Sequence, residues 1–461
     1  MISIPLATKK LDRGFKPLAQ IYREAKGASS SGGGANRLRL ALEREGGKIS
    51  VFETAIGSGD DVRTLVLAER LAKFFLWSRG GWRMYVSAPD PVARHLARHY
   101  SQEGARAFDV GFMEKVYGKS FEVVPLGPSD FPAEKTVEDS MGGNLDGCRI
   151  GFDLGASDYK LAAVREGEVV FSGEYPWNPR DQADPDYHYR HLREGLLRAA
   201  GHLPRVDAIG GSTAGVVVNN QFRVASLLRS IPNDRLAEAQ NVFRRLQAEW
   251  NVPLEVANDG DVTALAGAMS LGVRGLLGLA MGSSEAAGYI DRSGKMAGWL
   301  NELAFAPIDV GPEAPVDEWS GDRGGGALYF SQQAVNRLLG EAGIEVEEKA
   351  SLPERLKVVQ DLMAGGDRSA RSIYETIGDY LGHALPLYAT FYPIDHVLLL
   401  GRVTTGPGGS IILEQGRAVL RQVYPELNER LQLHLPDEKN RRVGQAVAAA
   451  SLPRLGEFAS T

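Results

Sequence analysis

The sequence predicts an α/β protein: two lobes of mixed strands and helices, preceded by an additional N-terminal α/β module. Three observations carry this expectation. Apolar runs of strand length alternate with helix-period stretches through the 461 residues. Two βββαβα-like stretches open near Gly151 and Gly275. Between them and the first third lies a segment rich in Pro, Gly, Ser and acids, 127–146, with the composition of a boundary. The expected division is therefore 1–147, 148–270 and 271–461, at a length that admits two or three domains.

In chain order, residues 27–36 (GASSSGGGAN) read as a flexible linker or surface loop. A strand (KISVFETAI), a GSGDD turn, a helix from Val62 to Trp77 and a strand (WRMYVSAP) follow. A helix from Pro91 to Tyr100 and a strand near Phe121–Pro125 complete the module. Asp60 reads as the N-cap after the GSG turn; with no GK[ST] behind it, a turn plus cap is preferred to a phosphate loop. From Cys148 to Pro176 the text is a β-meander opening with DLG. Then come a helix (Tyr187 to Leu203), a strand (VDAIGGSTAG), a helix ending in QAEWN, a strand (LEVAND) and a helix (VTALAGAMSLG). A strand pair around GLLGLAMGSSEAAGYI precedes a mostly helical third containing the strand HVLLLG and a final helix, RVGQAVAAASL.

Composition excludes several classes. Hydrophobic residues at 43% and charged residues at 24% are those of an ordinary globular protein. No apolar run reaches membrane-spanning length, and MISIPLATKKLDRGFK lacks the apolar core of a secretory signal, so no membrane partner and a cytoplasmic location are expected. One cysteine, Cys148, excludes an internal disulfide and a multi-cysteine metal cluster. The net charge of −6, with 21 basic and 18 acidic residues in 1–147, is not that of a nucleic-acid binder, so no nucleic-acid partner is expected.

Five segments could carry chemistry. In DLGAS (153–157) an aspartate ends a strand before a small-residue turn, where a carboxylate can hold hydrated Mg²⁺ and backbone N–H groups can face phosphate; a plain hairpin gives the same string. In ANDGDVTALAGA (257–268) Asn258 and Asp259 either cap the next helix or serve as a hydroxyl ligand and its general base. GSSEAAGYI (282–290), NELAFAP (301–307, with the lone acid Glu302) and HVLLLGRVTTGPGG (396–409) are the others. Each by itself reads equally as a turn.

Their order and spacing change that. From Cys148 to about Leu455 the sequence resembles the ROK (repressor, open reading frame, kinase) family of sugar kinases and related regulators. DLGAS with Lys160 is similar to that family's first phosphate motif, DxGGTxxK, and VANDGDVTALAG to its VxNDANxAALGE segment. AIGGSTAGVVV (208–218) resembles the strand and turn before the sugar site, and YPIDHVLLLGRVTTG the approach to the adenosine loop. The resemblance implies a two-lobed actin-like ATPase (ribonuclease H-like) fold and transfer of a phosphoryl group from ATP, with Mg²⁺, to a sugar hydroxyl. It implies Asp259 as general base and Asn258, Glu302 and Gly215 as sugar-binding positions. Asp153 (also the Mg²⁺ residue, through water), Gly155, Ser157, Lys160, Gly282 and Ser283 would border the phosphates, and Gly401 and Gly406 the adenosine. Sugar and ATP are then the partners, and a homodimer is admitted.

There are departures. Where the family has GTGxGxG, this chain has Gly282-Ser-Ser-Glu285-Ala-Ala-Gly288, so Glu285 would face polyphosphate with like charge unless it turns away or binds Mg²⁺. Arg402 replaces a glycine of the adenosine loop and could bind phosphate or block the cleft. The family's zinc pattern, GH…CxCGxxGC, has lost its ligands: Phe305 stands at the histidine, and Glu318 to Gly325 keeps only the glycines, so no zinc is expected. A catalytically silent sugar- or nucleotide-binding protein and a DNA-binding regulator remain the alternatives. The first 147 residues read as a packing or oligomerisation module rather than a DNA reader.

Overall fold

Residues 11–30, 36–135, 141–436 and 444–456 are described by the structure, a computed structural model. The N-terminal module comprises α1 (Leu18–Ser30), β1 (Asn36–Glu43), β2 (Ile49–Ile56), α2 (Val62–Arg79), β3 (Arg83–Ser87), α3 (Asp90–His99), α4 (Ala107–Tyr117) and β4 (Glu122–Pro125). Its sheet runs β2-β1-β3-β4, antiparallel except for the β3–β4 pair. The strands and helices expected between Lys48 and Pro125 are present. The sequence reading lacks α1, β1 and α4, whose apolar patterns are short or interrupted by charge. Of the expected linker, 27–30 belong to α1 and Asn36 opens β1, while 31–35 lie outside the described residues. The cap of α2 is Asp61 rather than Asp60: its side chain accepts from Arg63 N at 3.3 Å.

The first lobe holds β5 (Cys148–Leu154), β6 (Asp158–Arg165), β7 (Glu168–Pro176), α5 (Asp186–Ala200), β8 (Ala208–Thr213), β9 (Val216–Val218), β10 (Gln221–Val224), α6 (Leu236–Gln240), α7 (Val242–Trp250), β11 (Leu254–Asn258) and α8 (Asp259–Leu271). Its sheet order is β11-β8-β5-β6-β7, with β11, β8 and β5 parallel and the meander antiparallel. Every residue of β5 is buried, which is why CRIGFDL reads as a continuous rather than alternating run.

The second lobe holds β12 (Leu276–Met281), β13 (Glu285–Ile290), α9 (Gln332–Leu338), α10 (Leu352–Ala364), α11 (Arg368–Phe391), β14 (His396–Leu400), α12 (Pro407–Val423), α13 (Pro425–Arg430) and β15 (Gln432–His434), in a sheet ordered β13-β12-β14-β15. This half differs from the expected βββαβα order, since no third strand extends β13 among the described residues. The chain after β13 makes its β-type hydrogen bonds with the N-terminal module instead: Leu18 N donates to Ile308 O and Val310 N to Lys16 O, both at 2.9 Å.

The sequence reading runs the second lobe to residue 461, but α14 (Gly444–Ala450) packs on the first lobe's sheet. A Cβ at Gly151 or Gly210 would collide with the carbonyls of Ala446 and Ala449, so glycine on the strands and alanine on the helix are needed for this close approach.

The first lobe has its own core around Phe152, Phe222 and Phe243, whereas the module and the second lobe share one. Phe391 of α11 stacks on Phe52 at 4.5 Å and on Phe74 at 4.6 Å. Such aromatic pairs contribute about 0.5–1.5 kcal/mol each beyond area burial. The first 147 residues thus pack within their own chain. No helix among the described residues is long and apolar enough to cross a membrane.

Candidate functional site

Parallel pairing aligns the carboxyl ends of β5, β8 and β11: Asp153 lies opposite Ser212, and Thr213 lies between Leu154 and Asn258. In open α/β sheets ligands bind at this edge. Asp153 is buried, and Lys160 Nζ stands 3.7 Å from its Oδ2 and 3.3 Å from Asp158 Oδ1. Burial raises the Asp153 carboxyl, against the Ser212 hydrogen bond and the Lys160 charge. DLGAS is a hairpin turn, closed by Gly155 N donating to Asp158 O at 2.9 Å. That N–H is therefore engaged within the turn, and exposed Ser157 donates to Asp158 Oδ2 at 3.0 Å.

Asn258 fills both of its expected places. It caps α8, accepting from Gly260 N at 2.7 Å, and its Nδ2 donates to Gly215 O at 3.0 Å. Gly215, at φ 106, holds a conformation that side chains disfavour. Asp259 is the first residue of α8 and half-buried; burial, then the charge of Asp153, pushes its carboxyl up to about 7. Glu302 is likewise raised to about 7 by burial and by Asp259 and Asp261. The fold thus draws Asp153, Asp259 and Glu302 into one electrostatically coupled set from positions 153, 259 and 302.

Two features of the site escaped the sequence reading. Asp261, two residues beyond Asp259, is buried and accepts from Asn301 Nδ2 at 2.7 Å and Tyr289 N at 3.2 Å. Asn301 in turn accepts from the Tyr392 hydroxyl at 3.0 Å. The second is the end of α2. Its last carbonyls, Trp77, Ser78 and Arg79, accept from the N–H groups of Glu302, Asn301 and Leu300 at 3.1, 3.1 and 3.2 Å. A helix end leaves such carbonyls without partners, and here the loop bearing Glu302 supplies the donors. Asp261 had a signal in the NDGD spacing; α2, more than 200 residues away, had none.

On the second lobe, Gly282 and Ser283 form the β12–β13 turn, held by Gln332 N donating to Gly282 O at 2.9 Å. Gly401, at φ 92, ends β14 against this turn: a Cβ there would lie 2.5 Å from Met281 O. Gly406 precedes α12, with open space where its side chain would be. Arg402 is exposed, and its carbonyl accepts from Gln360 Nε2 at 3.0 Å.

Glu285 does not face this turn. It is buried, accepts from the Tyr388 hydroxyl at 3.4 Å, and its Oε2 occupies the space a side chain at Gly326 would need. Burial pushes its carboxyl up to about 8, with Glu302 adding repulsion. A carboxyl raised in the folded state favours folding least at high pH. Its cost begins above its unfolded value near 4.5 and is complete above about 8. Glu285→Gln should therefore match the parent within about 1 kcal/mol at pH 5 and be more stable by about 2–4 kcal/mol at pH 8.5. Urea unfolding at the two pH values measures this. A variant destabilised at both would contradict a neutral Glu285.

The histidine position of the lost zinc pattern is filled by packing. The Phe305 ring lies 4.5 Å from Trp77, 5.4 Å from Phe108 and 6.1 Å from Phe112. The loop behind it is tied by charge: Asp322 pairs with Arg106 Nη1 at 2.7 Å, Lys73 at 2.9 Å and Arg70 at 3.0 Å. Glu69 and Asp109 complete this buried network.

In fold, the chain is similar to the ROK hexokinase of Thermus thermophilus, with a TM-score of 0.52 at 19% identity, over 66% of this chain and 97% of the hexokinase. It is equally similar to a ROK family transcriptional regulator, a homologue of the E. coli MLC protein, with a TM-score of 0.52 at 21% identity, over 67% of this chain and 78% of the regulator. No family model and no curated protein matches the sequence. These likenesses show a two-lobed α/β fold shared by kinases and a regulator.

Proposed function

We propose that this chain, which carries the fold of the ROK kinases, is an ATP-dependent carbohydrate kinase whose cleft lies between the two lobes. The observation that supports it most is Asp259, at the carboxyl edge of the first sheet and raised to about 7. A general base works best with a value near the operating pH. In this reading Asp259 takes the proton of a sugar hydroxyl as that oxygen forms its bond to phosphorus and the bond to the ADP oxygen breaks. Asn258 and Glu302 orient the sugar, with Gly215 at the wall.

The residues present fit a magnesium nucleotide. Asp153 offers a buried carboxylate for hydrated Mg²⁺ and Lys160 a cation beside it, while the Gly282–Ser283 turn lies clear of the Glu285 charge. Gly401 and Gly406 would border the adenosine. Bound there, Mg²⁺ neutralises charge on the phosphates, and positioning supplies most of the remaining rate. Exposure of Arg402 removes the objection that it blocks the cleft.

A second reading, a silent binding protein, has one observation in its favour. Phe305 and its aromatic neighbours stand where a sugar-contacting histidine would be. Incubation of the pure chain with Mg·ATP and a panel of sugars separates the two. Magnesium-dependent formation of a sugar phosphate supports the kinase; sugar binding without transfer to any of them supports the receptor.

A further inference from the structure

Two arginines meet where the module touches the site. Arg44 follows β1, Arg79 ends α2, and Arg44 Nη1 donates to Arg79 O at 3.2 Å. They are 6% and 7% exposed. Each has a packing role: Arg44 also donates to Ser50 Oγ at 3.0 Å, and Arg79 donates to Phe391 O and stacks over Trp299 at 3.5 Å. These roles leave Arg44 Nε and Arg79 Nη1 buried without a hydrogen-bond partner.

Among the described residues no carboxylate lies within 4.0 Å of either guanidinium; Glu134 acts on both from farther away. Burial lowers Arg44, and burial with the Arg44 charge lowers Arg79 to about 10. Buried charges elsewhere in this protein are matched, as around Asp322, and an unmatched adjacent pair is costly.

Arg44 lines a cavity of about 170 Å³ between the module and the first lobe. Lys48 and Tyr117 line it from the module, Asn219 and Asn258 from the first lobe, and Trp299 from the loop before Glu302. Its two acids are engaged: Glu45 accepts from Asn219 Nδ2 at 3.2 Å, and Asp261 from Asn301 and Tyr289. Drug-sized pockets measure roughly 300–1,000 Å³, so the occupant is no larger than a monosaccharide.

We propose that this cavity takes the carboxylate or phosphate of an acidic sugar, with Arg44 and Lys48 as its counter-charges and the sugar body directed toward Asn258. The proposal rests on the kinase-like reading of the cleft and names its acceptor class. Guanidinium suits both anions because its fork of donors matches their oxygens.

Calorimetric titration of the full chain with glucose, glucuronate, glucose 6-phosphate and inorganic phosphate tests it. At least one sugar anion should bind ten-fold or more tighter than glucose, and the preferred one identifies the anionic group. Arg44→Gln should weaken that binding at least ten-fold. Should that variant fail to fold, Lys48→Met should lower the same affinity by several-fold. Equal binding of glucose and both sugar anions, no anion binding, or inorganic phosphate binding as tightly as the sugar anions would overturn the proposal. Anion-selective sugar binding without phosphoryl transfer would leave it standing and remove only the kinase reading.

Discussion

Asp259→Asn should lower phosphoryl transfer by roughly 10²–10⁴-fold, the usual contribution of a positioned general base, while sugar and nucleotide affinity stay within a few-fold. The substitution keeps shape and removes only the group that accepts the proton. Because the parent carboxyl is raised to about 7, the parent's rate should climb with pH through that region, and the variant's residual rate should be flat there. Steady-state kinetics from pH 5.5 to 8.5, with calorimetric affinities for both enzymes, measure both outcomes. Full activity in Asp259→Asn would remove Asp259 as the base.

Asp322→Ala should destabilise the fold by about 3–5 kcal/mol, the usual effect of removing one partner from a buried ion network. Lys73, Arg70 and Arg106 all lean on this carboxylate, and Lys73 and Asp109 beneath it are almost wholly buried. Without it, three buried cations face only Glu69 and Asp109. Those cations hold Asp322 below the usual carboxylate range, against burial. Its contribution is therefore present above its unfolded value near 3.8 and fades as pH falls below that. Urea unfolding at pH 7 measures the loss, and EDTA should leave the parent's transition unchanged. A variant as stable as the parent, or a parent that a chelator unfolds, would contradict the view that charge pairs tie this loop.

The sequence showed the first lobe plainly because its signals are local. DLGAS is a strand end and turn, LEVAND is a strand meeting its cap, and each carries its residue to the same sheet edge. What it hid depends on contacts between distant segments. Glu285 reads as an acid in a phosphate loop, yet an apolar space opened by Gly326 and closed by Tyr388 draws it inward. The missing third strand of the second half is explained only by residues 16–18, whose backbone takes the hydrogen bonds that strand would have used. Likewise, nothing in α2 announces that its carbonyls will hold residues 300–302.

The nucleotide cleft is the centre of this account, and calorimetric titration of Mg·ATP into the pure chain tests it most directly. Binding in the micromolar-to-millimolar range, strengthened by one sugar and lost with Gly401→Ala, is the predicted result. A chain that binds a sugar but no nucleotide, with or without Mg²⁺, would contradict it and leave a receptor on a kinase fold.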